Sequence, residues 1–352
     1  MNVDRRGFLT GAATAAGLAT AASLATTAPA GAQPAPGKLP FPDGGPLRIL
    51  VTGDAGTGTR PQWAVADAAR ALHAQQPFSF AIGLGDNLYE QGPQSDDDAQ
   101  FNAKFEDPNH DLDFPWIMVQ GNHDNSSILP GDGGWLLRGD HEVAYHSRSP
   151  RWWMPSRYYS VPIGDLVEFF VLDLNPIAAY LPPLFAPYWA ADGEFMTEQA
   201  AWLDRALDAS TAKWKIVCTH HPYLSNGSHG NAGEYEGLSI EPVNGIHVKR
   251  FFEAHVLGRA QFLLSGHDHC LQVLEPNPAC KGTRQIVSGA AAKTNSGSHE
   301  KDPARITPAL FENFTDLGFM VLDLTANSAE LTVHTVDPSN GQPTTAFQRR
   351  LV

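Results

Sequence analysis

Five short apolar runs each give way to a polar cluster: RILVTGDAG, FAIGLGDNLY, WIMVQGNHD, WKIVCTHHP and QFLLSGHDH. Runs of this length, closed by glycine or a polar turn, read as buried strands. They predict strands at Leu47–Thr52, Ser79–Gly83, Trp116–Val119, Trp214–Cys218 and Phe262–Ser265. Helices are predicted over Pro61–Ala74, over Thr197–Ala209 with Ala200, Leu203 and Leu207 on one face, and over Ile246–Ala254. The charged stretch SDDDAQFNAKFED predicts a short helix, and further strands are predicted near 157–161 and 166–173. Residues 125–156 show no clean period and read as a long loop, and 178–195 is aromatic and broken by proline. Past Ser265 the pattern turns to strands: Leu271–Leu274, Gln285–Ser288, Gly318–Asp323, Glu330–Thr335 and Thr345–Arg350, the last after a hairpin turn at 337–343. Alternating β and α followed by a β-rich stretch predicts an α/β fold, a four-layer α-β-β-α sandwich in a single domain over 47–352.

Composition agrees with a packed domain. The 352 residues are 42% hydrophobic and 18% charged, enough apolar content for a sizeable core. A formal net charge of −14 excludes a general nucleic-acid binder, which needs a basic footprint. It does not exclude a phosphate substrate, because bound cations supply positive charge locally. Residues 1–32 read as a twin-arginine signal peptide, with Arg5 and Arg6, an uncharged alanine-rich stretch and an Ala30-Gly31-Ala32 cleavage site. Residues 33–46 read as a flexible lead-in. The expectation is an exported protein, periplasmic or secreted, with no stable membrane anchor after cleavage and a monomeric state. Cys218, Cys270 and Cys280 are too few for a disulfide scaffold, although Cys270 and Cys280 bracket a short loop that a bridge could close.

The polar clusters carry the chemistry. Each places metal-type residues just past a strand, where open α/β sheets bind their ligands. The candidates are Asp54, Asp86, Tyr89, Asn122, His220, His267 and His269. A carboxylate such as Asp86 can bridge two cations, and the count suits a metal pair of the kind that hydrolyses phosphate esters. A phenol has a pKa near 10, so an ionised Tyr89 ligand calls for a strong, hard Lewis acid, which favours Fe(III). His123 is placed to face a substrate, oriented by Asp124. The other histidines, His73, His110, His141, His146, His247, His255, His299 and His334, read as bystanders.

This ordered set resembles the calcineurin-like metallophosphoesterases and, within them, the purple acid phosphatases of the small tartrate-resistant type. The resemblance runs through GDAG, GDNLY, GNHD, THHP with a later SHG, and GHDH, and spans residues 47–350. It implies one metal held by Asp54, Asp86, Tyr89 and His269, and a second held by Asp86, Asn122, His220 and His267. It implies Fe(III) at the Tyr89 site and divalent Fe, Zn or Mn at the other. His123 and His229 are then the phosphate binders and proton donors, and His229 is placed by its His-Gly ending alone. Three departures stand out: Ala55 in place of a bulky aromatic, Cys270 in place of a polar residue, and His221 beside His220, which leaves two candidate ligands at one turn. The implied activity is an acid phosphatase that hydrolyses small phosphate monoesters by attack of metal-bound hydroxide, without a phosphoenzyme. A secreted phosphodiesterase acting on nucleotides or phospholipid head groups is the alternative on the same scaffold, and a non-catalytic metal- or phosphate-binding protein is a third reading.

Overall fold

A computed structural model describes residues 39–126, 129–133, 136–178, 187–241, 243–295 and 306–352. The signal-peptide segment 1–32 and residues 33–38 of the lead-in lie outside the described residues, as do parts of the 125–156 and 178–195 segments. No described helix is long and apolar enough to cross a membrane.

Two seven-stranded mixed sheets form the centre. In chain order the strands of the first half are β1 (Leu47–Thr52), β2 (Phe80–Gly83), β3 (Trp116–Met118), β4 (Trp152–Trp153), β5 (Tyr159–Ile163), β6 (Val167–Val171) and β7 (Trp214–Cys218). Those of the second half are β8 (Phe262–Ser265), β9 (Leu271–Leu274), β10 (Arg284–Ser288), β11 (Ala309–Asn313), β12 (Leu317–Thr325), β13 (Ser328–Asp337) and β14 (Gln342–Arg350). The first sheet runs β14-β13-β12-β1-β2-β3-β4 and the second β11-β9-β10-β8-β7-β6-β5. Strands β1, β2 and β3 are mutually parallel in one sheet, as are β6, β7 and β8 in the other. Among the described residues the α-helices are α1 (Arg60–Gln75), α2 (Leu137–Tyr145), the single turn α3 (Asn175–Ala178), α4 (Glu194–Ala209) and α5 (Ile246–His255).

The strand alternation sorts side chains between layers. Phe169, Val171, Ile216, Cys218, Phe262 and Leu264 join the core shared with the first sheet. Their neighbours Phe170, Val217 and Leu263 turn the other way, onto Leu203 and Leu207 of α4 and Val248 and Phe252 of α5. Polar ties cross between the sheets as well: Tyr159 Oη donates to the Met118 carbonyl at 2.8 Å, and Trp214 Nε1 donates to the Thr325 carbonyl at 2.8 Å.

The structure corrects one reading and answers one question the sequence leaves open. The 125–156 segment is not all loop, since it contains α2 and β4. All three cysteines are free and buried, so Cys270 and Cys280 form no bridge. Cys270 packs with Val287 and Phe314, whereas Cys280 belongs to the cluster under α4 and α5.

A buried cation holds the region behind β3. Arg157 donates to Asp173 Oδ2 at 2.9 Å, Asp140 Oδ1 at 2.9 Å and Gln120 Oε1 at 2.8 Å. Burial disfavours its charge, but Asp140 and Asp173 outweigh that and raise its pKa. Gln120 immediately precedes Gly121 and Asn122, so this network fixes the turn from which Asn122 projects.

Candidate metal centre

Each ligand candidate stands on a turn at the carboxyl end of a strand. Asp54 follows β1, Asp86 and Tyr89 follow β2, Asn122 follows β3, His220 follows β7, and His267 and His269 follow β8. The turns are forced ones. Asp54, Asp86 and His267 have positive φ of 59°, 53° and 69°, a left-handed conformation uncommon outside glycine but one that Asp and His adopt more readily than most side chains. A glycine precedes each, and the glycines make room for other ligands. A Cβ on Gly121 would lie 2.2 Å from Asp86 Oδ1, and one on Gly266 would lie 2.5 Å from Asp54 Oδ2.

Two linked groups result. In the first, Tyr89 Oη donates to Asp54 Oδ1 at 3.0 Å and lies 3.1 Å from His269 Nε2, which is 3.6 Å from the same carboxylate oxygen. In the second, Asn122 Oδ1 is 3.0 Å from both His220 Nε2 and His267 Nδ1, and those nitrogens are 3.2 Å apart. Asp86 joins them: its Oδ1 is 3.4 Å from His220 Nε2, and ligand atoms of Asp54, Asp86 and His220 all lie within 4.8 Å of one another.

The hydrogen-bond directions decide what this arrangement can hold. His220 Nδ1 donates to the Leu84 carbonyl at 2.8 Å, so in the neutral ring Nε2 carries the lone pair. Asn122 Nδ2 donates to the Gly131 carbonyl at 3.1 Å, which turns the amide oxygen toward the histidines. Acceptor atoms of Asn122, His220 and Asp86 therefore converge in a buried space. Such convergence needs a proton or a cation at its centre. With a proton alone, burial opposes the His220 charge but Asp86 and Asp54 outweigh it, and its pKa rises to about 9. A metal ion takes the same lone pair and releases that proton.

The other members are similarly perturbed. Burial, with Asp86 adding to it, pushes the Asp54 carboxyl well above its ordinary range. Burial also opposes the Asp86 charge, yet His220 and His123 outweigh it and hold that carboxyl well below its ordinary range. For Tyr89, burial and then the charges of Asp54 and Asp86 push the phenol well above 10. Only a strongly charged cation against the oxygen would ionise such a phenol. The donor set thus fits hard cations, and the Tyr89 group fits the harder of two.

Two more histidines flank the ligands. His123 Nδ1 donates to the Glu90 carbonyl at 2.8 Å, and its ring lies 4.3 Å from that of Tyr89. His229 stacks on His267 at 4.1 Å, its backbone N–H donates to Asp268 Oδ1 at 2.7 Å, and its Nδ1 faces the Glu236 carboxylate. Asp124 does not orient His123. It lies beneath the site, where its carboxylate accepts from Leu88 N at 2.9 Å, Gly121 N at 2.7 Å and Asn87 Nδ2 at 3.1 Å. Burial, then Asp86, raises its pKa to about 7. Asp124 shapes the two ligand turns, and the closest histidine–carboxylate pair beside the ligands is His229 with Glu236.

Sequence reading passed over Glu90, Glu236, Asp268 and Lys293. Only Asp268, enclosed between His267 and His269 in the GHDH cluster, carries a local signal, and the structure buries it fully. At the THHP turn it is His220 that brings a nitrogen to Asn122 and Asp86, while His221 packs beside His267 at 4.6 Å. Several bystander histidines have other partners: His73 accepts from Phe78 N, and His255 bonds Asp204.

Comparison with known proteins agrees with this geometry. The family model described as calcineurin-like phosphoesterase matches residues 47–271. Purple acid phosphatase 4 of Arabidopsis thaliana is 29% identical over 84% of this chain and 82% of its own length. Human tartrate-resistant acid phosphatase type 5 is 26% identical over 69% of this chain and 72% of its own. Among solved structures, the Plasmodium protein described as GAP50, the anchor in the inner membrane complex, superposes with a TM-score of 0.65 at 18% identity, covering 88% of this chain and 89% of that one. That likeness concerns the fold alone.

Proposed function

The chain belongs to the calcineurin-like phosphoesterase family, and on that premise we propose that it is a binuclear-metal acid phosphatase acting on phosphate monoesters. The observation that carries the reading is the convergence of acceptors in two groups joined through Asp86. Similarity to purple acid phosphatases over most of the chain supports the monoester class.

Asp54, Asp86, Tyr89 and His269 would hold Fe(III), and Asp86, Asn122, His220 and His267 would hold divalent Fe, Zn or Mn. When bound, the pair supplies Lewis acidity toward a phosphoryl oxygen and toward water. The residues of the chain do the rest. Ionised Asp54, Asp86 and Tyr89 leave such a pair with a formal surplus of about +2, which draws an anion into an acidic protein. His229, braced by Glu236 and stacked on His267, binds a phosphoryl oxygen. His123 keeps Nδ1 committed to the Glu90 carbonyl and offers Nε2 as the atom that carries a proton to the leaving oxygen. The phosphoryl group passes to water with no phosphoenzyme.

The test is kcat/KM for an aryl phosphate monoester against the matching diester. The proposal expects the monoester to be preferred at least roughly tenfold, about 1.4 kcal/mol of transition-state discrimination. Preference for the diester would replace monoester hydrolysis with phosphodiesterase action. Tyr89→Phe tests the metal assignment separately. It should abolish the visible absorption of a phenolate bound to Fe(III), and an unchanged spectrum would remove Tyr89 from the ligand set.

A further inference from the structure

The segment after β10 passes between the ligand turns. Ala291 N donates to the Gly53 carbonyl at 3.2 Å, next to Asp54, and Asn295 N donates to the His269 carbonyl at 3.0 Å. Lys293 lies between these anchors. Its ammonium sits 3.4 Å from the centroid of the Tyr89 ring and 2.9 Å from Glu90 Oε1. The other Glu90 oxygen is 3.8 Å from His123 Nδ1. A lysine cation therefore stands on the face of a candidate ligand, and its counter-ion also lies near the candidate proton donor. The charge of Lys293 is felt at both His123 and His269, where it opposes protonation.

The two halves of this ion pair are unequal. The Lys293 side chain is 18% exposed and that of Glu90 is 52% exposed. An exposed carboxylate gives up an ion-pair partner at little cost, because solvent replaces most of the interaction. The ammonium is held by its stem and by the aromatic face, so it stays at the site when Glu90 leaves. A lysine ammonium has three donors, and neither the ring face nor a single Glu90 oxygen exhausts them. In a chain of net charge −14, a cation placed this way is an anion contact in reserve.

Building on the phosphatase reading, we propose that Lys293 is a specificity-determining residue that exchanges Glu90 for a second anionic group on the substrate. The substrate class is then phosphate esters bearing a carboxylate or a further phosphate beside the ester, in preference to esters of uncharged alcohols.

The experiment compares kcat/KM for an aryl phosphate and for the same aryl phosphate bearing a carboxylate, in the wild type, Lys293→Met and Lys293→Arg. The charged-over-neutral ratio should fall about tenfold in Lys293→Met, the usual scale for losing one hydrogen bond to a charged group. The fall should lie mainly in KM, and Lys293→Arg should restore most of the ratio. Calorimetric binding of the two corresponding non-hydrolysable phosphonates to the metal-loaded proteins supplies a readout independent of turnover, and the same tenfold change in relative affinity is expected. A ratio unchanged in Lys293→Met, by kinetics or by calorimetry, overturns the role of Lys293 even if both esters are hydrolysed. If the wild type hydrolyses neither ester, the phosphatase reading fails, and the phosphonate affinities still decide whether Lys293 contacts the second anion.

Discussion

Asp86→Asn is expected to cost the protein at least one of the two metals proposed for it and nearly all of its activity. The substitution is almost isosteric, so packing is preserved and only the charge and one oxygen are lost. Asp86 is the residue common to both ligand groups. Its Oδ1 already accepts from His123 N at 2.9 Å and stands 3.4 Å from His220 Nε2. Losing a buried anion from a site that gathers histidine nitrogens and other acceptors leaves a cation with too little counter-charge. The loss in kcat/KM should be at least roughly 10⁴-fold, a large share of the 10⁶-fold or greater enhancement usual for enzymes. Elemental analysis of the purified variant, with circular dichroism to verify the fold, checks both parts. A variant that keeps both metals and acts within about tenfold of the wild type, a loss of only ~1.4 kcal/mol, would contradict the bridging assignment.

His123→Ala is expected to lower kcat by roughly 10² to 10⁴, the scale of a general acid. The pH dependence gives a second signature. Burial is the largest influence on this ring and lowers its pKa below the ordinary 6.5, with Asp86 opposing. The imidazolium is the form that donates. Donor is therefore lost as pH rises through a pKa below 6.5 in the free enzyme, so kcat/KM should decline with pH on the acidic side of neutrality. That limb should vanish in the variant, while the affinity for inorganic phosphate changes far less than kcat. A loss in kcat below about threefold, well under the general-acid scale, would take His123 out of proton transfer.

The ligand turns were legible because each combines a buried strand with a polar stop. Strands β1, β7, β8 and β9 begin and end where the apolar pattern does. Helix α2 was not legible, for a physical reason. Its buried positions are Gly139, Glu142 and Tyr145, with Val143 partly buried against the core, so its apolar side is short and interrupted by a glycine and a glutamate. A Cβ on Gly139 would lie 2.5 Å from Gln120 Oε1 and 2.9 Å from Arg157 Nη1, so the helix needs a glycine there to seat the network behind Asn122. Glu142 is fully buried, and its Oε2 accepts from Asn87 Nδ2 at 3.2 Å. Burial, with Asp124 adding to it, pushes the Glu142 carboxyl well above its ordinary range, which suits a neutral acid shared with the Asp124 side of the network.

The substrate-facing residues divide in the same way. His123 and His229 could be picked out because they sit in, or close to, ligand turns. Glu236, which faces His229, comes from a turn held at φ 59°, and nothing in its local sequence distinguishes it from other surface glutamates. Lys293 and Glu90 meet only because distant loops converge, 203 residues apart in the chain. Pairing Asp124 with His123 was reasonable from adjacency, but a side chain that follows a ligand turn can point into the core. Asp124 does so, because Leu88 N, Gly121 N and Asn87 Nδ2 all need an acceptor there.

The central claim is that two metals act together across Asp86. It is tested most directly by stripping the protein of metal, verifying this by elemental analysis, and adding metal back while activity on an aryl phosphate is followed. The account predicts no activity without metal, little with one equivalent, and full recovery as the second is bound. Full activity with one metal per chain, or activity that survives complete removal, would contradict it.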